Sequence, residues 1–254
     1  MTRAMNSQKW ALFLKINLGV FVLIVLQGCN SSQKQDKEHL VFKYNEHSNI
    51  ATLDPAFARN PQTIWPSNQM FNGLVQLDDQ LNIQPDIAKS WHINDSTSTY
   101  TFTLRDDVYF HKNKVFKKDS TRSVVAQDFV YSFDRLLSPE LASPGSWVFN
   151  AVQRYHAAND STLVIQLNKP FPAFLGLLSM RYCSVVPKEA IAYYGNDFRS
   201  NPVGTGPFRF KFWEENVKLV LRKNPIYFEK DTQGNRLPYL EAVAITFLPD
   251  KQME

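Results

Sequence analysis

The sequence predicts an α+β fold of mixed, mainly antiparallel sheets with flanking helices, and three observations predict it. Residues 99–105 (TYTFTLR) alternate polar and apolar with β-forming side chains throughout, the period of a half-buried strand, and residues 161–167 (STLVIQL) repeat the pattern. Residues 124–137 (VVAQDFVYSFDRLL) place Val125, Phe129, Phe133, Leu136 and Leu137 at three- and four-residue spacing, an amphipathic helix that Pro139 ends. Residues 208–213 (FRFKFW) and 217–222 (VKLVLR) alternate as a hairpin pair.

The remaining elements follow in order. Residues 39–44 (HLVFKY) form a short β-rich run, followed by an irregular stretch containing Leu53, Asp54 and Pro55. In residues 64–77 (IWPSNQMFNGLVQL) apolar groups take helical spacing after Pro66 and stop near Asn72 and Gly73. Asp78 and Asp79 mark a turn; residues 81–85 and 86–91 follow, with another turn at 94–96. Residues 108–111 (VYFH) extend the β character past a corner at Asp106 and Asp107. The run at 169–178 (KPFPAFLGLL) opens on two prolines and becomes an apolar helix; another helix is predicted near 188–194. Residues 201–207 (NPVGTGP) read as a rigid loop and 243–248 (VAITFL) as a last strand. No repeat period is visible.

Ahead of this body, the first 28 residues have the three parts of a secretory signal. Arg3 and Lys9 give a positive start, residues 16–26 are apolar apart from Asn17, and small or polar residues follow. The apolar stretch is short of the ~20 residues a spanning helix needs, and Lys15 interrupts any longer window. The segment Leu26-Gln27-Gly28-Cys29 resembles a lipobox, which implies cleavage before Cys29 and a lipid on its thiol, although Gln27 departs from the usual small residue. Residues 30–38 (NSSQKQDKE) contain no apolar side chain and read, with Cys29, as a flexible tether over 29–38. With Cys29 acylated, Cys183 has no disulfide partner, so the core must hold the fold. The formal charge of +4 is modest and contains no Lys/Arg block, which leaves a nucleic-acid partner without support.

Catalytic chemistry finds no constellation. The histidines at 39, 47, 92, 111 and 156 share no metal-ligand spacing, so no metal and no cofactor are expected. His111 reads as a partly buried or surface side chain. Gly204-Thr205-Gly206 lacks the lysine of a phosphate-binding loop, no GxSxG elbow occurs, and Cys183 has no adjacent base. Asp106 and Asp107 are explained as a corner between strands. An enzyme is not expected. Aromatic residues make up 13% of the chain, enough that Phe208, Phe210, Phe212 and Trp213 could line a cleft, although packing of one sheet face explains them more simply.

Several strings together resemble the extracellular solute-binding proteins of family 5, the peptide- and nickel-type binding lipoproteins of ABC importers. Leu53-Asp54-Pro55 is similar to the family's opening "LDP"; residues 71–75 (FNGLV) resemble "YEGL", and 85–91 (PDIAKSW) "P-x-LA-x-SW". Residues 100–105 with Val108, Phe110 and His111 are similar to "YTFxLR…VxFH", and 126–133 (AQDFVYSF) to "AxDVxYSF", followed by Arg135. Val186-Pro187-Lys188, residues 202–208 (PVGTGPF), 224–228 (NPIYF) and 237–240 (LPYL) complete the order. One departure stands at Lys114, where the family carries a glycine.

The resemblance implies a periplasmic-binding-protein-like fold of type II, with the three-domain architecture of peptide binders. It implies an incomplete domain I from 39–60 and 170–254 and a domain II from 61–169. Family members run about twice this length, so the second ligand-binding lobe is expected to be missing and the chain to be a truncated form. The implied function is capture of oligopeptides or dipeptides on the periplasmic side of a bacterial membrane, with delivery to ABC permease subunits. The implied partners are a peptide, the permease and the membrane through the N-terminal lipid. By position, Asn49, Ile50 and Ala51 are expected to face the cleft. The competing expectation is a surface lipoprotein whose lobe serves as an interaction or scaffold module.

Overall fold

A computed structural model of the chain describes residues 40–248 apart from 95, 97, 118 and 119. The signal segment, Cys29 and the tether lie outside the described residues. The described residues from 42 to 248 form one compact unit.

Ten strands and four α-helices make up the described chain, with short 3-10 turns between them. One four-stranded sheet has the order β4 (Ala88–Ile93), β5 (Thr99–Leu104), β7 (Thr162–Leu167), β6 (Val152–Asn159), antiparallel throughout. The alternation read from the sequence becomes its two faces. Tyr100, Phe102 and Leu104 point inward beside Leu163, Ile165 and Leu167, in the register Tyr100 with Ile165 and Phe102 with Leu163. Helix α2 (Ala126–Leu137) lies against β6 and β7. It presents Phe129 and Phe133 on its apolar stripe, with the Phe133 ring 4.6 Å from Phe149 and 5.4 Å from Tyr155.

The second four-stranded sheet has the order β1 (Val41–Glu46), β10 (Ala242–Phe247), β9 (Lys218–Lys223), β8 (Phe208–Glu214). Its core face carries Leu219, Leu221, Val243 and Ile245. A β-bulge between Phe210 and Phe212 breaks the aromatic alternation of β8, so Phe208 is buried while Phe212 stands 43% exposed. A small hairpin, β2 (Val75–Leu77) with β3 (Ile83–Pro85), completes the sheets. The other helices are α1 (Pro61–Met70), α3 (Phe174–Leu178) and α4 (Lys188–Tyr194). Among the described residues no helix is long and apolar enough to cross a membrane.

Several boundaries differ from the sequence reading. Helix α1 begins at Pro61 rather than after Pro66, because Asn60 caps it: its side chain accepts from the Thr63 amide at 3.1 Å. Pro66 then sits inside the helix. The 108–111 run forms no strand, only an isolated bridge of Tyr109 with Ser123. At the departure from the family pattern, Lys114 places its ammonium 5.0 Å from the Tyr193 ring and 5.8 Å from the Tyr194 ring.

His111 is 3% exposed, a core residue rather than a partly buried or surface one. Its Nε2–H donates to the Gly206 carbonyl at 2.9 Å, its Nδ1 accepts from the Gly204 amide at 3.3 Å, and its own amide donates to the Gly204 carbonyl at 2.7 Å. One imidazole therefore pins both glycines of the 201–207 loop. On the other side of that loop the Gly206 amide donates to the Met70 carbonyl at 2.9 Å, which ties the end of α1 to it. Burial pushes the His111 pKa down from 6.5 to about 4, the Gly206 carbonyl opposing. Between those values the unfolded ring is protonated and the folded one is not. The stability this ring contributes is thus complete above pH 6.5 and is lost as pH falls toward 4, by about 3 kcal/mol. Asp86 has the opposite sign over the same window: burial pushes it up to about 7, against the pull of Arg181 and the Gly73 amide. The expected result is therefore a difference. His111→Gln should remove the imidazole's share of the pH dependence between 6.5 and 4 and leave the contribution of Asp86, so that the variant gains stability relative to wild type as pH falls, in urea unfolding measured across that range.

Candidate functional site

The Leu53-Asp54-Pro55 motif builds the floor of the site. Leu53 is fully buried and its amide donates to the Arg199 carbonyl at 2.8 Å, which fixes the chain against the segment after α4. The Asp54 carboxylate caps the following 3-10 turn by accepting from the Ala56 amide at 3.1 Å. The same carboxylate receives the Arg135 guanidinium through two bonds, Nη1 at 3.1 Å and Nη2 at 2.5 Å. The pair is well buried, with side-chain exposures of 13% for Arg135 and 5% for Asp54. Arg135 comes from the last turn of α2, where a cation suits the helix C-terminus, and its guanidinium lies 5.6 Å from the Phe198 ring.

A loop from α2 forms the opposite wall. Ser143 is buried; its hydroxyl donates to the Ala56 carbonyl at 2.6 Å and accepts from the Gly145 amide at 3.0 Å. This holds residues 140–145 over the Pro55–Phe57 turn. Ala142 in the loop has φ +50°, a left-handed backbone that costs a non-glycine residue of order 1 kcal/mol. Gly145 is required by a close approach: a Cβ there would stand 2.3 Å from the Tyr182 ring.

Between these walls lies a cavity of about 580 Å³, within the range of small-molecule sites. Ala51, Thr52, Asp54 and Phe57 line one side, Arg59, the cap Asn60 and Thr63 the approach to α1 and its first turn, residues 140–142 and Pro144 the loop, and Gly195, Asn196 and Arg199 the remainder. Arg199 is anchored by Glu215 at 2.9 Å, and its Nη1 donates to the Ala51 carbonyl at 3.4 Å. Arg59 and Glu140 are exposed on this cavity, and neither makes an ion pair among the described residues.

The three residues expected to face a cleft separate. Ala51 is exposed and lines the cavity. Ile50 is 1% exposed and its side chain belongs to the core, because this extended stretch turns the large aliphatic group inward between two outward-facing neighbours. Asn49 is turned to the β8–β9 hairpin, its Oδ1 accepting from the Asn216 amide at 3.2 Å. Arg59, Glu140 and Arg199 were not legible as site residues, since each stands alone in sequence and only the fold gathers them. Asp54 and Arg135 were legible as motif positions, but not as partners 81 residues apart.

Among the described residues no three His, Cys, Asp or Glu side chains are grouped to hold a metal ion. The Cys183 thiol is buried and pushed up to about 12 by desolvation, which keeps it protonated and unreactive at neutral pH.

Superposition on solved structures gives the fold class: this chain is an α+β part of the type II periplasmic-binding-protein architecture. The solved DppA of Helicobacter pylori in complex with peptide STSA superposes with a TM-score of 0.74 and 27% identity, over 85% of this chain and 45% of that one. The Escherichia coli murein tripeptide binding protein MppA does so with a TM-score of 0.71 and 27% identity, over 82% and 42%. The chain belongs to the bacterial extracellular solute-binding proteins, family 5, whose middle region matches residues 82–253. The periplasmic oligopeptide-binding protein OppA of Salmonella typhimurium is 31% identical over 231 residues, 82% of this chain and 40% of its own length. The probable deoxycholate-binding periplasmic protein YgiS of Escherichia coli K12 is 30% identical over 224 residues, 81% and 40%. The chain thus spans about 40% of the length of these relatives.

Proposed function

We propose that this chain supplies the first lobe of the solute-capturing component of an ABC importer, with a short peptide as the solute and the permease subunits as the receiving partner. The observation that carries the reading is the cavity beside Ala51, framed by the family's own motif residues Asp54 and Arg135. Residues 49–51 lead into it, so that their backbone can pair with an extended peptide as an added strand would. Capture then works as a population shift. A solute held by this lobe favours the closed form to the extent that a second lobe adds contacts of its own, and the permease takes the closed form. Domain I (39–60 and 170–254) and domain II (61–169) are the parts of this lobe in the same reading. A lipid on Cys29 would keep the component on the periplasmic side of the membrane, close to the permease. Relatives bearing peptide, tripeptide and oligopeptide names favour a peptide over other solutes.

Titration of the purified chain with pools of di- to pentapeptides, read as melting temperature, tests the proposal. A saturable rise of the RT ln(1 + [L]/Kd) form is expected. A folded sample that responds to no peptide pool overturns it.

A further inference from the structure

A second cavity, of about 440 Å³, shares no lining residue with the one beside Ala51. Three of its side chains are cations: Lys112, Lys230 and Arg236. Each is exposed, and none makes an ion pair among the described residues. Among the same residues its one carboxylate, Asp107, is already held by Arg105: Oδ1 accepts from Nε at 2.9 Å and Oδ2 from Nη2 at 3.1 Å. A single exposed lysine is ordinary. Three cations around one concave space repel one another, and the concavity focuses their field.

The hairpin at 229–237 presses two of these cations together. Lys230 stands directly opposite Arg236 in an antiparallel bridge. The flanking bonds run from the Leu237 amide to the Glu229 carbonyl at 3.0 Å and from the Asp231 amide to the Asn235 carbonyl at 2.9 Å. That pattern makes 230 and 236 the narrow, non-hydrogen-bonded kind of pair, in which side chains come closest. Like charges so placed weaken the pairing. The turn holds them there nonetheless, with Asp231 Oδ1 accepting from the Gln233 and Asn235 amides at 2.9 and 2.8 Å. The Arg236 guanidinium is fixed in turn by donating from Nη1 to the Tyr227 carbonyl, and its other N–H groups have no partner among the described residues. An anion between the two side chains would turn one repulsion into two attractions.

We propose that this cavity is a second binding site, for an anion of the phosphate-ester class, held by Lys112, Lys230 and Arg236. A doubly charged group with several oxygens matches three cations better than a single carboxylate does. The guanidinium fork takes two oxygens, and each ammonium acts as a point charge. Tyr109, which lines the same cavity, adds a hydroxyl donor. A cavity of about 440 Å³ has room for the remainder of the ester beside its phosphate. The inference is independent of peptide capture, since the two cavities have no residue in common.

Two probes on the full chain separate a soluble phosphate compound from a lipid headgroup. Inorganic pyrophosphate is titrated calorimetrically, and vesicles of phosphatidylglycerol or of phosphatidylcholine are sedimented with the protein. Both are run on wild type, Lys112→Gln, Lys230→Gln and the control Lys89→Gln, an exposed β4 lysine outside the cavity. Pyrophosphate should bind saturably. Lys112→Gln and Lys230→Gln should each weaken it about fivefold or more, while Lys89→Gln leaves it unchanged. Rising salt should weaken it as well. Loss confined to pyrophosphate assigns the site to a soluble phosphate compound; phosphatidylglycerol binding that depends on both cavity lysines assigns it to a headgroup. All three lysines are exposed, so unchanged melting temperatures confirm intact folding of the variants. If neither probe binds in a way that depends on Lys112 and Lys230, or if Lys89→Gln weakens binding as much, the inference is overturned.

Discussion

Gly204→Ala is expected to leave little folded protein. A Cβ at this position would lie 2.0 Å from the Met70 carbonyl oxygen and 2.7 Å from the Phe71 ring, and the first of these is backbone that cannot rotate away. Relief requires the 201–207 loop to lift off α1. That breaks the Gly206 bond to Met70 and both ring bonds of His111. The cost should be about 4 kcal/mol or more, a large share of the roughly 5–15 kcal/mol by which a domain is stable. Urea unfolding and the yield of folded chain measure it. Gly176→Ala serves as the internal control. That glycine lies within α3, and a methyl group added there would meet nothing within 4 Å, so alanine should raise stability by about 0.5–1 kcal/mol. Equal effects at the two positions would show that the crowding at Gly204 is not what matters.

Arg135→Ala should cost about 3–5 kcal/mol, the scale for stripping the partner from a buried charge. Asp54 would keep its carboxylate, 5% exposed, with only the Ala56 amide and whatever water could enter. Loss of the guanidinium would also remove its cation–π contact with the Phe198 ring. The decisive measurement is the double variant Asp54→Asn, Arg135→Leu. It should be less destabilised than Arg135→Ala, because no charge is left unpaired. A double variant that costs the sum of its parts would mean the pair acts as two independent surface groups.

The sequence was most informative where burial alternates cleanly. Strands β5 and β7 and the stripe of α2 stand where their patterns place them, because one face of each is packed and the other is not. Strand β6 was not read, and its residues explain why. Val152–Asn159 (VQRYHAAN) is largely exposed, lies at a sheet edge beside β7 alone, and carries two register irregularities, so its β state is imposed by its neighbour rather than by a hydrophobic period. His111 failed for a related reason. A histidine at the end of a strand-like run gives no local sign that glycines 93 and 95 positions away will bond to its ring. For the site, motif residues Asp54 and Arg135 were visible but their meeting was not, and Arg59 and Glu140 carry no local pattern at all. Only the fold brings them to the lining of one cavity.

The bonds between His111 and the two glycines have a consequence for the order in which the molecule assembles. Along with the Thr205 hydroxyl bond to Asn72 across 133 residues, they are contacts of high sequence separation, rewarded only after long loops have closed. The hairpin of β6 and β7 and its pairing with β5 need no residue beyond 167. A nascent chain can therefore complete that sheet while the end of α1 and the imidazole still wait for a loop that has not yet been synthesised. Contact separation thus puts the closure of residues 201–207 after the assembly of that sheet.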